Sequence, residues 1–329
     1  MWSKYKTSLA IAVSLLTIFS LFWFIQSLAL VIFISLLLTI LLNPSVDKLV
    51  TKRIPRLFSA AIILFSFLTL IMCFILIVSK TFLPALSNFI ADIPHIAESL
   101  KSLPFLQPSS YLAEQLDQLF KGFATFSVTA LKSSLTILFD IFSKFLDLII
   151  IIFVTFYLLK DGKQIKLYLA NLFPTKDNMR VILLFNKIIA SLGSYIRGQL
   201  TICLITGIFV FLYFTIFNIP YSPVFAVLSA IGEFIPVVGP TIASAAGTLL
   251  AFTDSSTIGV QTLFFYILLT QINHNVVYPY LIGKSLNLHP VAIMLGILLG
   301  GELLGPIGMF LAVPCMVILK LVLEDIFSH

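Results

Sequence analysis

Charge is what this sequence has least of. Charged residues fill 10% of its 329 positions, against 60% for hydrophobic ones. A soluble chain of this length could not hide so much apolar surface, which argues against a globular domain and for a polytopic membrane protein. Cysteine is scarce too: Cys73, Cys203 and Cys315 lie far apart in apolar runs. They read as small buried hydrophobes, not as a disulfide framework or a metal site. Enzyme signatures are missing: there is no His-Glu-x-x-His, no Gly-x-Ser-x-Gly and no pair of aspartates on adjacent spans. Gly283-Lys284-Ser285 has the ending of a phosphate-binding loop, but Tyr278 stands where its first glycine is required. No catalysis, metal, cofactor or nucleic-acid partner is expected. Without a nucleotide site, any transport must run on a gradient, run downhill, or depend on another subunit.

What is present is a series of apolar runs, several reaching the ~20 residues that cross a ~30 Å hydrocarbon core. The net charge of +6 sits in short segments beside those runs, which fits membrane orientation better than nucleic-acid binding. Lys4 and Lys6 precede an apolar run from Leu9 to Leu42 with no small-residue cleavage site, so no removable signal peptide is expected. As one helix the run would be ~50 Å long, too long for one span without severe tilt. Asn43–Arg56 after it is basic again. Basic flanks on one side require an even number of crossings, so a hairpin bending near Gln26-Ser27 is expected. Leu57–Val78 then leads outward, completing a first unit, residues 1–79.

Between 80 and 144 the character changes. Leu86, Phe89, Ile93, Ile96 and Leu100 recur at helical spacing, and Leu112, Leu116, Leu119 and Phe123 continue the pattern beyond Pro104–Pro108. This is an amphipathic, extramembrane or interfacial helical region that packs on itself, lies on the membrane, or binds a neighbouring subunit. Residues 145–329 return to the membrane as a transmembrane core. Phe145–Leu159 crosses back, and Asp161-Gly162 reads as a helix-end turn. Lys160 to Arg197 holds seven basic residues against Asp161 and Asp177, the strongest cytoplasmic marker in the chain. Ile182, Phe185, Ile188, Ile189 and Leu192 suggest an amphipathic approach helix ending near Gly193. Both termini are expected in the cytoplasm.

Two later runs are interrupted. Gly232-Glu233-Phe234-Ile235-Pro236-Val237-Val238-Gly239-Pro240 divides two short apolar halves, and Gly301-Glu302 with Gly305-Pro306 divides Pro290–Leu323. Proline removes a backbone donor and clashes with the preceding turn, and glycine weakens the helix further, so both places should be breaks. Opened backbone in lipid survives only where protein or a wet cavity satisfies it. An intramembrane acid is costly unless paired, protonated or hydrated. Paired breaks in two halves point to a transport site shared between repeats. A plain turn with the acid at headgroup level is the other reading, and chance similarity of glycine-rich apolar sequence remains an alternative for the pairing.

The candidate site residues follow. Glu233 and then Glu302 are the candidate proton- or cation-responsive groups, with Pro236, Gly239, Pro240, Gly305 and Pro306 as the hairpin breaks. Arg197, Gln199, Gln271, Asn273 and Asn275 could line a polar path, or could equally hydrogen-bond the helices together. His274 stands alone among amides, which is not a metal site.

Several motifs in order resemble one family. They are Asn43-Pro44, Phe156-Tyr157-Leu158-Leu159-Lys160-Asp161-Gly162, Tyr195-Ile196-Arg197-Gly198-Gln199, the Gly232–Pro240 stretch, Asn275 with Pro279, Leu288-His289-Pro290, and Gly301 through Pro314. On these the chain is similar to the autoinducer-2 exporter family, or PerM-like permeases. The resemblance implies an inner-membrane permease with about eight hydrophobic segments, an extramembrane amphipathic region and homo-oligomers. For the solute it implies a furanone signal or a cation exchanged for protons. Overall the sequence is read as an all-α polytopic protein with short broken hairpins. Its expected role is a secondary transporter, with a pore within an oligomer or a non-transporting scaffold as alternatives. Lipid, a small solute, and a proton or sodium ion are the expected partners.

Overall fold

A computed structural model describes residues 26–101, 118, 145–174, 178–236, 238–281 and 288–327. Its elements are α1 (Gln26–Thr51), α2 (Arg56–Lys101), α3 (Phe145–Asn171), α4 (Asn178–Ile216), α5 (Ser222–Gly232), α6 (Val238–Asp254) and α7 (Ser256–Ile272). A π-helical turn (Asn273–Val277), the short α8 (Tyr278–Leu281) and α9 (Pro290–Phe327) complete the order. No strand occurs among the described residues. Leu28–Thr51, Arg56–Leu100, Asn178–Ile216 and Val291–Phe327 are long and apolar enough to cross a membrane. This is the all-α, multi-pass architecture that the composition demands.

Several helices run further than their sequences suggest. α2 continues without a break past Val78 to Lys101 and carries Pro84 and Pro94 inside it. At 46 residues it is ~69 Å long, about twice the thickness of a hydrocarbon core. The expected apolar face of its far half is buried: Phe89, Ile93, Ile96 and Leu100 pack with Phe214, Val224 and Phe225. That part of the amphipathic region therefore packs on the protein itself. The Pro104–Pro108 break, Leu112, Leu116, Leu119 and Phe123 of its continuation, and residues 9–25 of the first apolar run lie outside the described residues.

Two expected helix ends do not occur. α3 passes through Asp161-Gly162 to Asn171, and α4 passes through Gly193 and Gly198, both buried. A glycine costs a helix only about 1 kcal/mol, and at Gly193 close packing offsets it. A methyl there would stand 3.0 Å from the Arg197 guanidinium and 3.3 Å from Ile40.

The first two helices and α3 are tied at one end by Arg56. It donates to the Leu159 carbonyl (2.8 Å), the Asp47 carboxylate (2.9 Å) and the Asn43 amide oxygen (2.8 Å). α1 also joins α4 and α9 through a core of Leu37, Ile40, Leu192, Ile202 and Val317.

Both interrupted runs are hairpins. In the first, α5 starts with proline in its opening turn and runs 11 residues, ~16 Å, half of a ~30 Å core. The chain reverses at Glu233–Pro236, and Gly232 and Gly239 touch backbone to backbone, so that a methyl on Gly239 would overlap the Gly232 carbonyl. In the second, Gly305 alone has φ 62° and ψ −145°, a region essentially reserved for glycine. It folds α9 back on itself, with Gly308 against the Gly300 carbonyl.

Candidate functional site

Glu233 sits where α5 ends, with φ −57° and ψ −23°, and its N–H still donates to the Ser229 carbonyl. The reversal therefore turns its side chain inward without left-handed backbone. Its relative exposure is 6%. Oε1 accepts from Thr206 Oγ1 at 2.9 Å and from Asn273 Nδ2 at 3.0 Å. The same Asn273 amide donates to Thr206 Oγ1 at 2.8 Å, closing a triangle. Gln199 Nε2 donates to the Glu233 main-chain carbonyl at 2.7 Å, tying the hairpin tip to α4.

The stripe on α4 explains which side chains reach the tip. Gln199, Cys203, Thr206 and Val210 follow four- and three-residue steps, and all are buried. Asn273 is delivered differently. It opens the π-helical turn and is buried, whereas Gln271, His274 and Asn275 on either side are exposed. A π turn inserts one extra residue into the helical repeat and re-aims the side chains around it. Asn275 donates instead to Gln271 at 2.8 Å, and His274 stacks on Tyr278 at 5.4 Å.

Chemically, this is a carboxyl surrounded by neutral groups. Among the described residues no Lys, Arg or His forms an ion pair with it, and Thr206 and Asn273 supply its hydrogen bonds. Hydrogen bonds to a carboxylate favour the charged form, while burial disfavours it. Two buried acceptor oxygens beside it, Gln199 Oε1 and Asn273 Oδ1, have no partner among the described residues. An amide carries both donors and acceptors, so rotation of the Asn273 amide would offer an acceptor to the protonated acid. The constellation suits a group that changes its charge.

A cavity of about 10 Å³ adjoins Glu233 and is lined also by Thr206, Ser229, Pro240, Tyr266 and Thr270. That is room for about one water. No group of three or more His, Cys, Asp or Glu that could hold a metal occurs among the described residues.

The remaining expected residues are placed apart. Glu302 is exposed on the first arm of α9 and does not join Glu233. Arg197 is exposed, with its guanidinium over Gly193. Pro236 and Gly239 form the first reversal and Pro240 lines the cavity, while Gly305 and Pro306 form the second reversal. The hairpins meet through Phe234 and Phe310, whose rings are 5.1 Å apart and edge to face. Val237, Lys284 and the Gly283-Lys284-Ser285 run lie outside the described residues. Thr206, Ser229 and Tyr266 were not singled out in sequence. The signal was the spacing of Thr206 from Gln199 on one stripe of an otherwise apolar helix.

Long apolar helices, one reversal at Glu233–Pro236 and another at Gly305, and a buried acid held by uncharged groups are the architecture of a multi-pass membrane protein. A family model described as "AI-2E family transporter" matches residues 12–328, and the chain belongs to that family. It is 29% identical over 310 residues to "Putative transport protein YrrI" of Bacillus subtilis (strain 168), covering 92% of this chain and 88% of that one. It is 24% identical over 299 residues to "AI-2 transport protein TqsA" of Escherichia coli (strain K12), covering 89% and 84%. Both relatives are named as transport proteins.

Proposed function

We propose that the protein is a secondary transporter of the bacterial inner membrane in which Glu233 couples solute movement to a proton or sodium ion. The observation that carries this reading is the buried carboxyl at the tip of a broken hairpin, held by Thr206 and Asn273 with no cationic side chain beside it among the described residues. A carboxyl so placed is neutral when protonated and costly when charged, so its occupancy follows access to one side or the other. The hairpins alternate that access; Glu233 takes the proton, and the amide oxygens of Gln199 and Asn273 accept a hydrogen bond from the protonated acid or ligate the ion. The solute is a small polar molecule, exported and of the autoinducer-2 type, as the name of the TqsA relative suggests, or a cation exchanged for protons. Glu302, being exposed, stands outside the coupling step. Both termini and the basic Lys160–Arg197 face are cytoplasmic, and the chain's partners are lipid, solute, ion and further copies of itself.

The test is reconstitution of the purified protein in liposomes with autoinducer-2 or sodium as the probe, under imposed proton and sodium gradients. Movement that follows the gradient supports the carrier. Flux indifferent to the gradient would show a pore, and no flux of any probe would leave a scaffold.

A further inference from the structure

We propose that Glu233 exchanges its proton through a hydroxyl relay of Ser229 and Tyr266 on the side of the α4–α5 turn, opening outward at Thr262 and Tyr213. This rests on the reading of Glu233 as the coupling acid and adds the route by which its proton comes and goes.

Polar groups are not spread evenly around the hairpin tip. Towards the α4–α5 turn they are hydroxyls. Ser229 lies one helical turn before Glu233 on α5 and lines the same cavity as Tyr266 and Thr206. Ser229 Oγ and Tyr266 Oη are 3.4 Å apart, too far for a strong O–H···O bond but close enough for a small rotation or a water to close. Both side chains are buried, with relative exposures of 2% and 4%. One turn back along α7, the buried Thr262 Oγ1, which donates to the Ile258 carbonyl at 2.8 Å, stands 3.4 Å from Tyr213 Oη, and Tyr213 is half-buried, so the route reaches the rim at Tyr213.

The neighbouring glycine keeps the route open. A methyl on Gly247 would stand 2.7 Å from Tyr266 Oη and 2.9 Å from Cε2, so only glycine leaves the hydroxyl in its place.

On the opposite side the groups are amides and one half-buried phenol, Tyr278, which stands beside Gln199 and outside the cavity lining. Gln199 and Asn273 present amides whose N–H groups already donate to Glu233 and Thr206. Tyr195 Oη has no hydrogen-bond partner among the described residues. The titratable groups facing Glu233 are Cys203 on α4, Tyr266 on α7 and Tyr278 on α8, and no charged group faces it among the described residues. A hydroxyl or a water accepts on a lone pair while releasing its own proton, whereas an amide does not pass protons on. The relay therefore follows the hydroxyls.

The transfer balances at every step. A proton from outer water binds a hydroxyl oxygen at the rim, and that hydroxyl releases its own proton inward. The handover repeats through Tyr266, Ser229 and a water in the cavity until a Glu233 oxygen is protonated. Each relay group ends neutral, and the carboxylate has become a carboxylic acid.

The proton alone is the probe. Full-length protein in detergent is subjected to a rapid drop in pH while the infrared band of the protonated Glu233 carboxyl is followed. That band is identified by its loss in Glu233→Gln. Tyr266→Phe is expected to keep the band and its midpoint pH but slow its appearance about a hundredfold, the scale on which a lost proton carrier is felt. Gly247→Ala, which removes no hydroxyl but displaces that of Tyr266, is expected to slow it similarly. Wild-type rates in both variants, with the band still absent from Glu233→Gln, would overturn the relay and leave the coupling acid standing. A spectrum unchanged by Glu233→Gln would overturn both.

Discussion

The two hairpins share their chemistry of reversal and differ in what they do with an acid. Each crosses itself where two glycines touch, Gly232 on Gly239 and Gly300 on Gly308. Each carries a Gly-Glu pair before the reversal. In the first, however, Glu233 is buried against Thr206 and Asn273, and in the second Glu302 is exposed. The break does not make the site. The neighbours do: α4 and the π-helical turn converge on the first tip, while Glu302 has no such pair of ligands among the described residues.

The backbone solutions differ too. The first reversal begins from right-handed dihedrals at Glu233, whereas the second depends on Gly305 at φ 62°. One hairpin is closed by side-chain ligands at its tip, and the other by a single residue's conformational freedom. That contrast can be broken or sharpened by substitution.

The largest expected effect is at the crossings. Gly239→Ala and Gly308→Ala each drive a methyl into a facing backbone carbonyl, and backbone cannot rotate away as a side chain does. Each should cost about 3 kcal/mol, seen as a fall in midpoint of thermal unfolding in detergent. Tolerance of either would show that its hairpin is not closed at that glycine. Gly305→Ala comes next, at about 2 kcal/mol, because the added side chain disfavours the dihedrals regardless of space. The same measurement reads it, and no described residue of the first reversal has a positive φ to match it. The smallest effect sharpens the site itself. Asn273→Ala leaves Glu233 and Thr206 short of a donor and should cost about 1–2 kcal/mol, while Asn275→Ala, exposed two residues on, should stay within about 0.5 kcal/mol. Equal costs would mean that the π turn does not distinguish them.

How much of this was legible in the residues alone depends on the kind of signal. The breaks were visible because Gly-Pro pairs in apolar runs have few other uses. Glu233 stood out because an acid there is expensive. Thr206 did not, since a threonine in an apolar helix is ordinary until its facing partner is known. Gln271, Asn273 and Asn275 looked alike, and only the π turn separates the buried one from its exposed neighbours. The helix ends read at Gly162 and Gly193 failed for a different reason. Single-residue propensities of about 1 kcal/mol lose to packing such as that of Arg197 and Ile40 on Gly193.

The central claim is that one acid, not both, couples the gradient to movement. Gradient-driven flux in liposomes, compared between Glu233→Gln and Glu302→Gln at equal protein, tests it most directly. The account predicts a loss of about a hundredfold for the first, the scale of a lost proton-transfer group, and near wild-type flux for the second. Coupled flux that survives Glu233→Gln, or that falls equally in both variants, would contradict it.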